Sequence, residues 1–176
     1  ASCFDGEGRF LGLDCLKKTG VNPNKPNYMR PRSADGFTNG ATEYLMTTDS
    51  YTFACDGSFR VFADAVDSYF NRTAEHFCSH AHTPNDPDSC YPGAVISEYV
   101  AYVPWKVFED YAAVGSLHLK ELVAALIEEL TGGERSVYVD GLPDRGVVTL
   151  LRQPEKDRLI NHLLFSHTSV RGNGVE

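Results

Sequence analysis

Half of the six histidines of this 176-residue chain lie in one segment, YFNRTAEHFCSHAHTP, which runs from Tyr69 to Pro84. Imidazole and thiol groups are common metal ligands, and they act as bases or nucleophiles near neutral pH. Four such residues alternate along the segment: His76, Cys78, His80 and His82. Any chemistry that this chain performs, or contributes to a larger protein, is therefore expected here first.

Zinc is the first ligand to consider, because it prefers four Cys, His or carboxylate ligands at about 2.0 to 2.3 Å. In a strand the alternating side chains share one face, but at about 3.3 Å per residue His76 and His82 would lie roughly 20 Å apart. In a helix His76 and His80 share one face, and Cys78 shares another with His82. A regular element therefore supplies two ligands at most. A metal-binding module or zinc hydrolase built on these four residues remains an alternative that needs a ligand from elsewhere.

Covalent and acid–base catalysis are less well matched by the residues. Cys78 has histidines nearby, but the chain lacks the Gly-x-Cys-x-Gly elbow that exposes a nucleophile on a sharp turn. No glycine-rich loop follows a strand in the way that phosphate binding requires. Paired carboxylates for glycoside cleavage are easily found among 24 acidic residues, so their presence alone is uninformative. The nearest candidates are Glu75, Glu98, Glu109 and Asp110.

A polar pocket wall fits the segment better. Hydrogen-bonding side chains alternate there with Tyr69, Phe70 and Phe77, and sugars are bound by that combination of planar polar groups and flat apolar faces. The predicted substrate-binding residues are Asn71, Arg72, Glu75, His76, His80 and His82. The alternative is a folded loop whose side chains hydrogen-bond their own backbone.

The composition is that of an ordinary soluble domain, with 42% hydrophobic and 23% charged residues. A net charge of −8 and the lack of a basic run exclude a typical nucleic-acid footprint. No run of about 18 apolar residues predicts a membrane span, and no leader pattern is evident. Five cysteines without a CxxC pair predict reduced thiols and a cytoplasmic location. No cofactor is predicted.

Before the histidine segment, residues 10–16 predict a short helix, and three prolines between residues 22 and 36 predict an irregular connection. Residues 51–55 and 59–62 flank Asp56-Gly57 and predict a hairpin.

After the segment, PNDPDSCYPG is typical of a loop, while residues 94–96 and 99–103 predict a strand pair. Apolar residues at helical spacing between Ser116 and Gly132 predict the clearest helix. A short strand is predicted at residues 136–139. Residues 146–151 and 159–165 predict a second hairpin.

The segment YFNRTAEHFCSHAHTP, the stretch PWKVFEDYAAVGSLHLKELVAALIEELTGG and the later VTLLRQPEKDRLINHLLF together resemble the C-terminal part of a family of glycoside hydrolases. Those enzymes join a (β/α)8 barrel to a class I glutamine amidotransferase-like domain that is similar to the trimerisation domain of β-galactosidases. The opening FDGEGRF resembles the Asp-x-x-Gly-Arg loop of that domain.

The resemblance implies an α/β fold. Residues 1–140 would form a partial flavodoxin-like, amidotransferase-like layer without its first strands, and residues 141–176 would start a small antiparallel β segment. It also implies that the catalytic carboxylates belong to a barrel before Ala1 and that no catalytic residue lies in this chain. Amidotransferase chemistry is not implied, because the nucleophile elbow is missing.

The function expected from the resemblance is that of a noncatalytic domain of a carbohydrate-active enzyme. Such a domain would support homo-oligomerisation and line a sugar-binding cleft with residues 71–82. Its expected partners are a carbohydrate, bound through the parent enzyme, and further copies of the same chain. A sheet that lacks its first strands would expose an edge for another chain to cover.

Overall fold

Antiparallel β-structure dominates the fold. The computed structural model describes residues 3–80, 82–142, 146–165, 170–171 and 174–175. Its first eight strands are β1 (Arg9–Phe10), β2 (Leu13–Val21), β3 (Asn27–Pro31), β4 (Tyr44–Met46), β5 (Tyr51–Cys55), β6 (Arg60–Val61), β7 (Ala63–Ser68) and β8 (Asn85–Pro92). The later strands are β9 (Val95–Ile96), β10 (Ala101–Tyr102), β11 (Val147–Gln153), β12 (Arg158–Leu164), β13 (Val170–Arg171) and β14 (Gly174–Val175).

The strands form several small sheets. The largest has the order β4-β3-β7-β8, and two three-stranded sheets have the orders β1-β2-β5 and β10-β9-β6. Two further pairs, β11-β12 and β13-β14, lie near the C-terminus. The described helices are α1 (Val107–Val114), α2 (Leu117–Leu130) and a short 3-10 turn, Pro154–Lys156. None of them is long and apolar enough to cross a membrane.

The main core lies between the four-stranded sheet and α2. Leu119, Leu122 and Leu126 recur at helical spacing and bury one face of α2. They belong to the same cluster as Met29 of β3 and Met46 of β4. A second, aromatic-rich cluster surrounds Leu16, Val95 and Tyr102. The first cluster anchors the sheet from which the histidine segment departs, and the second joins the two three-stranded sheets.

The predicted α/β, flavodoxin-like fold class is wrong. A doubly wound layer needs parallel strands joined by crossover helices. Here every pairing between described strands is antiparallel, and α1 and α2 follow one another with no strand between them. The described chain is therefore mostly β, without an amidotransferase-like layer.

Three segments that were predicted as helix or loop are strands. The expected helix at residues 10–16 is replaced by β1 and β2, and the proline-rich connection contains β3, which is buried in the largest sheet. The expected loop PNDPDSCYPG is largely β8. β8 is an edge strand, and an edge tolerates proline because its outward N–H groups need no partner.

The other predictions gave mixed results. The strand pair at 94–103, the helix after Ser116 and the hairpin between 146 and 165 are confirmed. The hairpin around Asp56-Gly57 is wrong, because β5 pairs with β2 whereas β6 pairs with β9. Residues 136–139 form no strand. Within the predicted C-terminal segment, residues 143–145, 166–169, 172–173 and 176 lie outside the described residues.

Candidate functional site

The histidine segment connects β7 to β8. Its two ends are fixed side by side, because Ser68 pairs with Asn85 and the N–H of Tyr69 donates to the carbonyl of Pro84 over 3.1 Å. Between these ends residues 71–80 belong to no helix or strand. The segment is therefore a long loop that leaves the edge of the largest sheet and returns to it.

Asn71 ties the loop to the neighbouring connection between β2 and β3. Its Oδ1 accepts the backbone N–H of Lys25 at 2.8 Å, and its Nδ2 donates to the carbonyl of Pro23 at 2.7 Å. Both halves of the amide thus bind backbone. Asn71, which was predicted to bind sugar, therefore has a structural role that the sequence did not reveal.

Arg72 ties the loop to itself. Its guanidinium donates to the carbonyl of His80 at 3.0 Å and to that of Cys78 at 3.3 Å. A planar guanidinium can hold two acceptors at a fixed separation, so it determines the shape of the loop between them. Arg72 consequently brings the start of the segment against its histidine-rich end.

A tight turn follows at Thr73. Its Oγ1 accepts the N–H groups of Glu75 and His76 at 3.2 and 3.0 Å and contacts the carboxylate of Glu75 at 3.0 Å. Glu75 and His76 are both exposed. The ring of His76 lies 6.2 Å from that of Phe70. The turn therefore presents a carboxylate and an imidazole to solvent beside an aromatic ring.

Cys78 and His82 face the protein more than the solvent. The sulfur of Cys78 lies 3.5 Å from the carbonyl oxygen of His82, at a distance that suits S–H donation. The ring of His82 meets that of Tyr28 edge to face at 6.2 Å, and the hydroxyl of Tyr28 donates to the carbonyl of Thr83 at 2.5 Å. These contacts anchor the return of the segment to β8.

The alternative metal centre is not formed by these residues. Within the described ranges, no three His, Cys, Asp or Glu side chains are grouped so that they could hold a metal ion. Cys78 is directed at backbone carbonyls and His82 at Tyr28, while His76 lies beside Phe70. The four alternating residues therefore have separate environments.

The six predicted site residues fall into three groups. Asn71 and Arg72 hold the loop, and His82 is half-buried against Tyr28. The other three residues, Glu75, His76 and His80, are exposed, as Asn71 and Arg72 also are. This surface offers one carboxylate and two imidazoles, which are groups that can hydrogen-bond to sugar hydroxyls. Sugar binding by them stays a prediction.

A polar network that sequence reasoning missed supports the loop. Asn22 donates to the hydroxyl of Tyr91 at 2.6 Å and to Asp67 at 3.1 Å, and Tyr91 donates to Asp67 at 2.8 Å. Burial raises the pKa of Tyr91, and its hydrogen bond to the Asp67 carboxylate adds to the rise. The network fixes Asn22 at the start of the β2–β3 connection, to which Asn71 is hydrogen-bonded. No local sequence pattern predicts this network, because Asn22, Asp67 and Tyr91 lie far apart in the sequence.

The carboxylates considered for catalysis have other surroundings. Asp110 is buried and accepts the backbone N–H and the hydroxyl of Thr47 at 2.9 and 2.5 Å. Glu98 accepts the hydroxyl of its neighbour Tyr99 at 2.6 Å. Asp110 therefore holds α1 to the end of β4, which is a structural role.

Comparison with solved structures shows a likeness that covers most of the chain. The chain is similar to alpha-L-fucosidase isoenzyme 2 from Paenibacillus thiaminolyticus, with 37% sequence identity and a TM-score of 0.80. The likeness covers 94% of this chain and 25% of the fucosidase chain. Comparisons with protein-family models and with curated proteins gave no match.

This likeness supports a domain related to glycoside hydrolases. The sequence resemblance is thereby confirmed only as a relation to glycoside hydrolases. The amidotransferase-like and flavodoxin-like parts are not supported, since the chain is mostly β. The chain spans about a quarter of the fucosidase chain that it resembles.

Proposed function

We propose that this chain is a noncatalytic domain of an α-L-fucosidase-like glycoside hydrolase and that its histidine segment lines the sugar-binding cleft. The observation that carries the proposal is the 37% identity to a fucosidase over 94% of this chain but only a quarter of that enzyme. A piece of that size corresponds to a domain rather than to the whole enzyme.

The construction of the histidine segment supports a role at a cleft. Asn71, Arg72 and Thr73 give the loop a defined shape by side-chain contacts to backbone, so its exposed groups are held in place without a ligand. Preorganised polar groups bind with a smaller loss of conformational entropy. His76 and His80 can then meet ring hydroxyls, while Phe70 offers a flat apolar surface.

The test is glycoside hydrolysis by the natural polypeptide that carries this chain, with a chromogenic α-L-fucoside as substrate. His76→Ala and His80→Ala should each raise KM about tenfold and change kcat less, because they would remove contacts present in both the ground and transition states. Glu98→Gln, an exposed change in the turn between β9 and β10, is the control and should leave both constants unchanged.

Two results would contradict the proposal. One is unchanged kinetics in both histidine variants. The other is hydrolysis by the isolated chain, because a noncatalytic domain has no turnover of its own. Zinc that copurifies stoichiometrically and is lost in a His80→Ala, His82→Ala double variant would instead favour the metal-binding alternative.

We also propose that the domain associates with a second copy of itself through the β11–β12 hairpin. Residues that pair across a hairpin share a face. One face carries Val147 with Leu164 and Leu151 with Ile160, and the other carries Val148 with Leu163. Leu151 and Leu164 are 55% and 64% exposed. A two-stranded hairpin is marginally stable alone, so apolar side chains on both faces favour burial against a partner.

Molar mass in solution, measured by light scattering after gel filtration, tests this association. The chain should elute as a multiple of its 19.4 kDa mass, and Leu151→Lys together with Leu163→Lys should shift it to the monomer. Ala41→Lys together with Thr42→Lys adds the same two charges at exposed positions before β4, outside the hairpin, and should leave the mass unchanged. A wild-type chain that is monomeric at all accessible concentrations would contradict the proposal.

A further inference from the structure

A cavity of about 630 Å³ lies between the loop after β3 and the C-terminal half of α2. Its walls come from the residues around Arg32 to Gly36, from Arg60 and Phe62, and from Ala124 to Arg135. None of these belongs to the histidine segment. The volume lies within the range of about 300–1,000 Å³ that is typical of small-molecule sites.

Positively and negatively charged side chains line the cavity in equal number. Three guanidinium groups, on Arg32, Arg60 and Arg135, line the cavity. Three carboxylates also line it, on Asp35, Glu128 and Glu129. A strongly anionic or cationic ligand would meet like charges as well as opposite ones, so a neutral ligand is favoured.

These charged groups can bind a ligand while remaining paired. Arg60 contacts Glu129, and Arg135 contacts Glu128, in each case through one guanidinium nitrogen and one carboxylate oxygen. A guanidinium has five N–H donors, and an ionised carboxylate has about four acceptor sites. Each pair therefore keeps donors and acceptors side by side, which matches a ligand whose hydroxyls both donate and accept.

The cavity also has an apolar surface. Phe62 is partly buried against the main core and forms part of the wall. On the opposite wall, Ala124 and Ala125 of α2 line the cavity with small side chains that leave room for a ligand. An aromatic face beside paired donors and acceptors suits the C–H surfaces and hydroxyls of one pyranose ring.

The walls are fixed without a ligand. Arg32 donates to Asp64 through two nitrogens at 2.7 and 3.1 Å, and its N–H donates to the carbonyl of Phe62 at 3.1 Å. At the other end of the loop, the N–H of Thr38 donates to Glu121 of α2 at 3.1 Å. Gly36 approaches Ala125 so closely that a Cβ would lie 3.1 Å from the alanine methyl. The loop is therefore held to Phe62 and to Asp64 of β7 at its start, and it lies against α2 in its middle and at its end.

From this we infer a second binding site, separate from the histidine segment, that takes a neutral polyhydroxylated ligand of the size of a mono- or disaccharide. The inference goes beyond the proposed function and does not depend on it. Arg60, Glu129 and Arg135 would hydrogen-bond the hydroxyls, and Phe62 would pack against the apolar face of the ring.

The experiment is a titration of the full chain, labelled with ¹⁵N, with L-fucose, D-galactose, D-glucose and the anionic D-glucuronate, followed by NMR. Amide shifts should saturate at residues 33–36, 60–62 and 124–135 for at least one neutral sugar. Ala124→Trp fills the cavity from an exposed helix position and should weaken that binding about tenfold or more. Ile127→Trp places the same indole outside the cavity wall and should bind as the wild type does.

Arg135→Ala, in the exposed stretch after α2, is a second variant that leaves the helix intact and should also weaken binding about tenfold. Any of the following results would overturn the inference: no saturable shift with any neutral sugar, unchanged binding in Ala124→Trp, or tighter binding of glucuronate than of every neutral sugar. Shifts confined to the histidine segment would also overturn it, while leaving the proposed cleft role intact.

Discussion

The backbone of Gly93 passes close to the ring of Trp105. A Cβ at position 93 would lie 2.6 Å from Cη2 of the indole and 2.8 Å from the backbone nitrogen of Ala65. Real Cβ atoms do not approach other atoms so closely. Trp105 is itself fixed, because its Nε1 donates to Asn27 at 2.8 Å in the buried core. The link between β8 and β9 therefore requires glycine.

Gly93→Ala should lower the free energy of unfolding by about 1–3 kcal/mol, which is the usual cost of overpacking a core. Urea denaturation followed by Trp105 fluorescence measures this change. Gly57→Ala is the matched control, because a Cβ there meets nothing within 4 Å. Equal stability of the two variants would show that the Trp105 ring and the backbone around Ala65 can both shift at little cost.

Asp110→Ala should destabilise the fold by about 1–3 kcal/mol, because the N–H and hydroxyl of Thr47 would lose a charged acceptor. Thermal unfolding followed by circular dichroism at the helical band measures the effect. Glu109→Ala changes the adjacent exposed carboxylate and should stay within about 0.5 kcal/mol of the wild type. A catalytic role for Asp110 would instead show as lost activity with unchanged stability.

His118 should make stability fall in mild acid. Burial lowers its pKa from the ordinary 6.5, although the carbonyl of Leu45 and the carboxylates of Asp110 and Glu121 oppose this shift. The unfolded chain therefore binds the proton more readily than the folded one. The stability contributed by neutral His118 is fully present above pH 6.5 and decreases as the pH falls through that value.

Urea unfolding between about pH 7.5 and pH 5 tests this dependence. His118→Gln keeps a donor for Leu45 and removes the titration, so the slope of stability against pH should become smaller. His162→Gln, on the exposed hairpin, is the control and should retain the wild-type slope. An identical slope in all three proteins would mean that His118 is equally easy to protonate in both states.

Arg72→Ala should loosen the histidine segment without unfolding the domain. The carbonyls of Cys78 and His80 would lose their shared donor, so cleavage by a nonspecific protease between residues 73 and 82 should become faster. The urea midpoint should change little, because the segment lies outside both hydrophobic clusters. Arg72→Lys should give intermediate cleavage, and wild-type protection in Arg72→Ala would refute the bridging role.

Local patterns predicted the elements whose stability is local. Leu119, Leu122 and Leu126 repeat at helical spacing, and the buried face of α2 follows from that repeat. β3 has no such signal, because Asn27 and Pro31 are poor strand formers. It becomes a strand because β4 and β7 pair with it on both sides, and those partners are distant in the sequence.

In the candidate site, too, some features could be predicted from local sequence and others depend on distant contacts. Composition correctly indicated a polar loop with aromatic neighbours, and five of its six named residues are exposed. The sequence could not show that Asn71 and Arg72 bind backbone carbonyls, because any hydrogen-bonding side chain can serve either a ligand or the chain itself. The flavodoxin-like expectation failed for a related reason, since it depended on resemblance rather than on a strand–helix alternation in the residues.

β8 limits how other chains can pair with the largest sheet. It is one edge of the largest sheet, and Asp86 and Asp88 flank Pro87 within it. Proline offers no N–H to an incoming strand, and the two carboxylates repel the acidic surface of a second copy. This edge therefore cannot be extended by backbone pairing into a continuous intermolecular sheet. Crowded copies of the chain are therefore protected from fibre-like growth on this side of the largest sheet.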